Sequence, residues 1–343
     1  MTHQRIALLG FGNVGQALAR LFLRKRDLLL KDHDLSLSIT GIATARHGMA
    51  IDPQGIDVEH ALQLITAHSK LEVLSKHPTI TDPVKFIRSC GADVLFENTP
   101  VSYQDGQPAI TYLRTALDQG MHIITANKGP VVHAYQELTQ LAKRQGRKFY
   151  FESAVMDGAP IFSLFRESLP AATLHGFTGI LNSTTNLILS RMEDGENFEQ
   201  AVAYAQSIGI AETDPSGDID GWDAAVKVAA LVTVLMGIPL KPAQVDRTGI
   251  RHLTSQSIHQ AIQQGKRWKL VCAATCKDGK VSARVRPELV GTDSPLYGVS
   301  GTSSIVTFET DVLPQLSIVE GNPGPETTAY GLLADFINAS RQD

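Results

Sequence analysis

The sequence predicts an α/β fold in two parts, a doubly wound parallel sheet followed by an α+β half. Three observations carry that prediction. Up to about residue 150, short apolar runs alternate with segments of helical period, the pattern of a parallel sheet with helices on its faces. A glycine turn, Gly10-Phe11-Gly12-Asn13-Val14-Gly15, separates the first apolar run from the first helical segment. Beyond about residue 155 longer helices appear, with alternating strands joined by a hairpin signal at Asp278-Gly279.

The elements follow in order. Residues 5–9 (RIALL) form a short apolar strand, and residues 14–24 have helical period. Residues 35–43 (LSLSITGIA) alternate and are rich in β-branched side chains, so they form the next strand. Residues 93–97, 122–125 and 148–152 add strands, with helices over 110–119 and 135–145 between them. In the second half, a strand over 174–181 leads into a helix over 182–192, and a second helix covers 198–208. A polar, acidic stretch at 211–220 precedes a long apolar helix at 222–236. Residues 267–275 and 280–286 form the hairpin, 305–309 and 315–320 add two strands, and a helix starts at Tyr330. The domains expected are therefore 1–150 and 151–329, with the helix of 330–343 returning to the first.

Composition narrows the class of protein. Hydrophobic residues make up 43% of the 343 and charged residues 19%, which suits a globular protein with a core in each half. Thirty-one basic against 35 acidic residues leave a net charge of −4, too even to draw nucleic acid or an anionic membrane by bulk charge. No run approaches the roughly 18 apolar residues that span a bilayer. Cys90, Cys272 and Cys276 are too few for a disulfide scaffold and fit a reducing, cytoplasmic setting. Cys272 and Cys276 also have no neighbouring histidines to complete a zinc site. A small-molecule partner remains.

Two local patterns carry chemistry. The glycine turn is a G-x-G-x-x-G between a strand and a helix, the context of a Rossmann-type dinucleotide site. Gly10 makes the tight turn, Gly12 lets the backbone approach a pyrophosphate, and Gly15 lets helix and strand pack closely. The second strand ends in Thr44-Ala45-Arg46-His47, with no acid for ribose hydroxyls and with Arg46 available to a 2′-phosphate. The cofactor expected is NADP or NAD, with NADP favoured.

The second pattern puts five carboxylates (Glu212, Asp214, Asp218, Asp220 and Asp223) within residues 212–223, followed by Lys227. Asp223 and Lys227 share a face of an otherwise apolar helix at i, i+4. Two readings stand: an exposed ion pair worth about 0.2–1 kcal/mol, or a lysine held in a site where burial and carboxylates set its protonation. Lys128, in Thr125-Ala126-Asn127-Lys128-Gly129, follows a strand of the first half, where ligands of such sheets bind. Asn182-Ser183-Thr184-Thr185-Asn186 lies at a strand–helix junction, as a cap or as a ligand contact.

Together these segments resemble homoserine dehydrogenase. The resemblance runs through GFGNVG at 10–15, ENTP at 97–100, TANKGP at 125–130, GILNSTTNLIL at 179–189, GIAETDPSGDIDGWDAAVK at 209–227 and GPETTAYGLLAD at 324–335. It is closest to the short monofunctional form without a regulatory ACT domain. The resemblance implies reversible NAD(P)-dependent interconversion of L-homoserine and L-aspartate 4-semialdehyde, carried out by a homodimer. It implies that Lys227 and Lys128 are catalytic, that Asp223 orients Lys227, and that Glu212, Asp218, Asp223, Thr184 and Lys128 line the substrate site. Asn98, Thr99, Pro100, Asn127 and Lys128 would join residues 10–15 and Arg46 at the nucleotide. Backbone carbonyls near Glu152 and Val155 would hold a monovalent cation. Two departures stand out: Met156-Asp157 replaces family glycines, and Ser183 replaces another. A related dehydrogenase for another amino alcohol or hydroxy acid is the alternative reading, and a nucleotide-binding protein without catalysis is a third.

Overall fold

The structure is a computed structural model and describes residues 1–341. Residues 342–343, the end of the expected final helix, lie outside the described residues. The chain forms two compact units, Met1–Pro160 together with the chain from Gly324 onward, and Ile161–Pro323. Among the described residues there are two six-stranded sheets, one in each unit.

The first unit contains β1 (Thr2–Leu9), α1 (Asn13–His33), β2 (Leu35–Ala43), β3 (Met49–Ile51), α2 (Val58–Thr66), α3 (Pro83–Ser89), β4 (Val94–Glu97), α4 (Ala109–Asp118), β5 (His122–Thr125), α5 (Lys128–Arg144) and β6 (Phe149–Tyr150). The strand order is β3-β2-β1-β4-β5-β6. All pairings are parallel except the short β2–β3 hairpin. Chain order reverses between β1 and β4, which is where ligands of open parallel sheets bind, beyond the carboxyl ends of the strands. The apolar runs that mark β1 and β4 are buried because helices cover both faces. Helix Pro325–Ser340 packs on α1. Its Phe336 stands 5.6 Å from Phe22 and 5.9 Å from Phe96, ring centre to ring centre. Phe22 and Phe96 are themselves 5.7 Å apart.

Several boundaries differ from expectation, for local reasons. α1 runs on to His33 and stops where Asp34 turns left-handed at φ 52°. α2 and α3 were not expected; each is short, and capping marks them better than periodicity. Asp57 accepts from the His60 amide and Asp82 from that of Val84. α5 begins at Lys128, capped by Asn127, and breaks at Ala134, so the helix expected from residue 135 is the part beyond the break. The strand expected over 148–152 shrinks to Phe149–Tyr150 and gives way to a 3₁₀ turn, Glu152–Ala154. The last helix starts at Pro325, since proline fits the first helical position.

The second unit contains β7 (Leu174–Ile180), α6 (Ser183–Glu193), α7 (Phe198–Ser207), α8 (Ser216–Ile219), α9 (Trp222–Leu235), β8 (Asp246–Arg247), α10 (Ser255–Gln263), β9 (Arg267–Lys277), β10 (Lys280–Val290), β11 (Ser304–Thr310) and β12 (Leu316–Glu320). The strand order is β12-β11-β7-β9-β10-β8, antiparallel except for β10 with β8. Asp278 and Gly279, at φ 51° and 72°, form the hairpin turn between β9 and β10. α9 starts after left-handed Gly221 and buries its Ala and Val side chains over β9 and β10. Asp223 in the first turn of α9 is buried as well.

Candidate functional site

In the first unit the glycine turn is built as the motif requires. Gly10 sits at φ 100°, and a Cβ there would run into the Asn98 backbone. A Cβ on Gly15 would collide with the Gly10 carbonyl, whereas one on Gly12 would meet nothing within 4 Å. α1 therefore opens beside free space at Gly12. It has no side-chain cap and no acid in its first turn. Uncapped N–H groups and the positive end of the helix dipole suit a phosphate. Phe11 is buried, Asn13 is exposed and Val14 is half-buried. Both polar atoms of the Asn98 side chain are buried without a hydrogen-bond partner. Orphaned amide atoms beside an open glycine cradle fit a dinucleotide.

Behind Asn98 lies a network that sequence reasoning missed. Glu97, at 0% exposure, closes β4 and accepts from both the backbone N–H (2.8 Å) and the hydroxyl of Thr99, and from the Thr125 hydroxyl at 2.8 Å. The Asn127 amide donates to the Thr99 carbonyl at 3.2 Å, and its oxygen caps α5 through Gly129 N at 3.0 Å. Burial holds the Glu97 carboxyl above its ordinary range, against the pull of these donors. The network ties the loop after β4 to the loop after β5 and so fixes half-buried Lys128 at the first position of α5. Pro100 is exposed. The only sequence signal was an acid at the end of an apolar strand.

Arg46 is exposed in the turn between β2 and β3. An acid distant in sequence also reaches this turn: the Glu72 carboxylate packs against Gly48, and its Oε2 is buried without a hydrogen bond.

In the second unit the acidic block separates. Glu212 is exposed, and its carboxylate has no hydrogen bond or ion pair among the described residues. Asp214 caps Ser216 N at 3.1 Å, and Asp220 pairs with Arg251. Only Asp218 and Asp223 converge. Nδ2 of Asn182, the α6 N-cap, donates to Asp218 Oδ1 at 2.6 Å and Asp223 Oδ2 at 3.0 Å. Lys227 Nζ lies 3.0 Å from Asp223 Oδ2 and donates to the Leu181 carbonyl at 2.6 Å. Only 14% of the Lys227 side chain and 10% of that of Asp223 are exposed, so this is no solvated surface pair. Burial, and then the charge of Asp223, raise the Asp218 carboxyl above its ordinary value, while hydrogen bonds from Asn182 and Thr184 oppose the rise. Thr184 is buried and donates to the Ile210 carbonyl at 3.3 Å.

Residues 10–152 match the family model described as "Homoserine dehydrogenase, NAD binding domain", and residues 160–337 match that described as "Homoserine dehydrogenase". The chain belongs to the homoserine dehydrogenase family. The family consists of NAD(P)-dependent oxidoreductases acting on a CH–OH group, and that activity takes precedence over the alternative substrates. An NAD(+)-dependent homoserine dehydrogenase of Pseudomonas canavaninivorans is 34% identical, over 98% of this chain and 96% of its own. The homoserine dehydrogenase of Methanocaldococcus jannaschii is 35% identical over 97% of each. Among solved structures, a putative homoserine dehydrogenase from Archaeoglobus fulgidus superposes with a TM-score of 0.86 at 29% identity, covering 98% of both chains. A hyperthermophilic archaeal homoserine dehydrogenase in complex with NADPH gives 0.83 at 28% identity, covering 99% of this chain and 98% of its own.

The remaining residues expected of a homoserine dehydrogenase fall in the first unit. Glu152 and Val155 are buried in and just after the 3₁₀ turn. Asp157 takes φ 35°, and Gly158 packs where a Cβ would strike the Thr327 carbonyl. An aspartate thus occupies left-handed backbone, the region that favours glycine. Among the described residues no three His, Cys, Asp or Glu side chains gather as a metal cluster, and no helix is long and apolar enough to cross a membrane.

Proposed function

We propose that Lys227, held by Asp223, acts on the reacting oxygen in the interconversion of L-homoserine and L-aspartate 4-semialdehyde. The observation that carries this reading is the buried Lys227–Asp223 pair joined to Asp218 through Asn182. Two of the three ammonium N–H groups are committed, to Asp223 and to the Leu181 carbonyl, which leaves one for a substrate oxygen. A bound nicotinamide would supply the hydride acceptor for the alcohol carbon, or the donor for the aldehyde. In reduction Lys227 gives a proton to the oxygen as negative charge builds there, and in oxidation it takes one back. Asp218, beside Thr184, receives the substrate ammonium, and exposed Glu212 is the second acid that this reading assigns to it. Lys128, fixed by the Glu97–Asn127 network, is the second catalytic lysine of this reading, with a part in binding both substrate and nucleotide.

The nucleotide is held by residues 10–15 with Asn98, Thr99, Pro100 and Asn127. Arg46 supports NADP as the preferred form. Carbonyls at Glu152 and Val155 are the proposed seat of a monovalent cation. The same reading makes the enzyme a cytoplasmic homodimer; a monomer mass by light scattering would count against it. Purified protein should oxidise NADPH, and NADH less efficiently, with aspartate semialdehyde. Absence of turnover with that aldehyde and with homoserine overturns the reading. Lys227→Ala should cost about 10²–10⁴-fold in kcat while nucleotide affinity stays within about twofold, and near-normal kcat would remove the lysine from the mechanism.

A further inference from the structure

We propose that Asn182 is a positioning residue that holds Asp218 and Asp223 as a pair and thereby sets the contacts of Lys227. The proposal rests on the reading of these three groups as the substrate site. Each hydrogen-bonding position of the amide is in use. One N–H goes to Asp218 Oδ1 and the other to Asp223 Oδ2, while Oδ1 accepts from the Thr185 backbone N–H and hydroxyl, each at 2.8 Å. The amide cannot turn over. Reversed, it would set its NH₂ against the Thr185 backbone N–H and its oxygen against two carboxylates. The helix cap thus fixes the end of the amide that faces the acids.

The consequence reaches the lysine twice. Asp223 Oδ2 accepts from both Asn182 and Lys227, so the amide places the oxygen that places the ammonium. The other Lys227 contact is the carbonyl of Leu181, the residue before Asn182. A two-residue segment therefore touches all three charged groups. The titratable groups around this amide are Asp218 on α8, Asp223 and Lys227 on α9, and the Cys272 thiol on β9. Burial pushes that thiol up to about 12, so it stays neutral. Lys269 on β9 contacts α6 further along, at Asn186 (3.3 Å). Without the amide, two nearby buried acids repel, one takes up a proton at higher pH, and Lys227 loses part of its anionic partner.

The experiment compares Asn182→Ser and Asn182→Asp with wild type. Both replacements can cap α6, so the structural role is retained, but neither can donate to two carboxylates. The expected result is a kcat lower by about tenfold or more. The acid limb of the kcat/KM profile should move up by about one pH unit, a tenfold change in the ionisation equilibrium, and further for Asp than for Ser. Folded variants with wild-type kcat and an unmoved acid limb overturn the proposal. If neither variant folds, wild type decides by NMR. Both side-chain amide protons of Asn182 should titrate with the acid limb, and flat shifts overturn the proposal. Absence of homoserine turnover by wild type would defeat the underlying reading alone, because the NMR titration still tests the bridge.

Discussion

In the proposed site, Asp218 is the residue where stability is set against chemistry. Folding raises its carboxyl above the usual 3.8, through burial and then the charge of Asp223. The group therefore favours the folded state at pH below that value, and the contribution is lost as pH rises through the folded pKa. Asp218→Asn should accordingly raise Tm at neutral pH, where the buried charge is a burden, and the gain should vanish near pH 3–4. The same variant should lower kcat/KM for homoserine. A neutral-pH Tm at or below that of wild type would show that the charge is not costly. At this scale the sequence discloses what local spacing encodes. Asp223 and Lys227 are readable as a pair because four residues bring side chains together on any helix. Asn182 bridges to acids 36 and 41 residues away, and Glu97 reaches Thr125, 28 residues on. No periodicity records such contacts. Nor does charge density tell which of five acids turn inward; Asp214 caps the nearby Ser216 amide and Asp220 pairs with Arg251, 31 residues on.

Among the elements, the glycine turn separates space needed by the chain from space left for a ligand. Gly15→Ala should destabilise the first unit, because its methyl would strike the Gly10 carbonyl. Gly12→Ala should leave Tm nearly unchanged, since its methyl meets nothing within 4 Å, yet weaken nucleotide binding by filling that opening. Thermal melts with and without NADPH distinguish the two, and equal Tm losses for both variants would refute the division. The turn was legible because glycine spacing reports backbone geometry directly. α2 and α3 were not, because at nine and seven residues they bury few apolar side chains and owe their starts to Asp57 and Asp82. The helical turn from Lys128 was hidden for a related reason, since the break at Ala134 interrupts the period.

For the molecule as a whole, the helix Pro325–Ser340 completes a core begun more than three hundred residues earlier in the chain. Phe336 is fully buried against Phe22 and Phe96. Phe336→Ala should cost about 3–5 kcal/mol, the range for emptying a buried aromatic site, and calorimetry should show the loss in the transition that NADPH stabilises. A loss confined to the other transition would contradict the placement of this helix. The parallel sheet and the change of texture after its last strand were readable from sequence, whereas the partners of the last helix lie too far along the chain for any local pattern to name. The same topology bears on biosynthesis. The ribosome makes the nucleotide-binding sheet first and its closing helix only after the whole second unit, so that unit can fold while the earlier one still exposes the apolar faces of α1 and β4. A chain cut short before residue 324 would lack the helix that covers α1, leaving those faces open to misassembly.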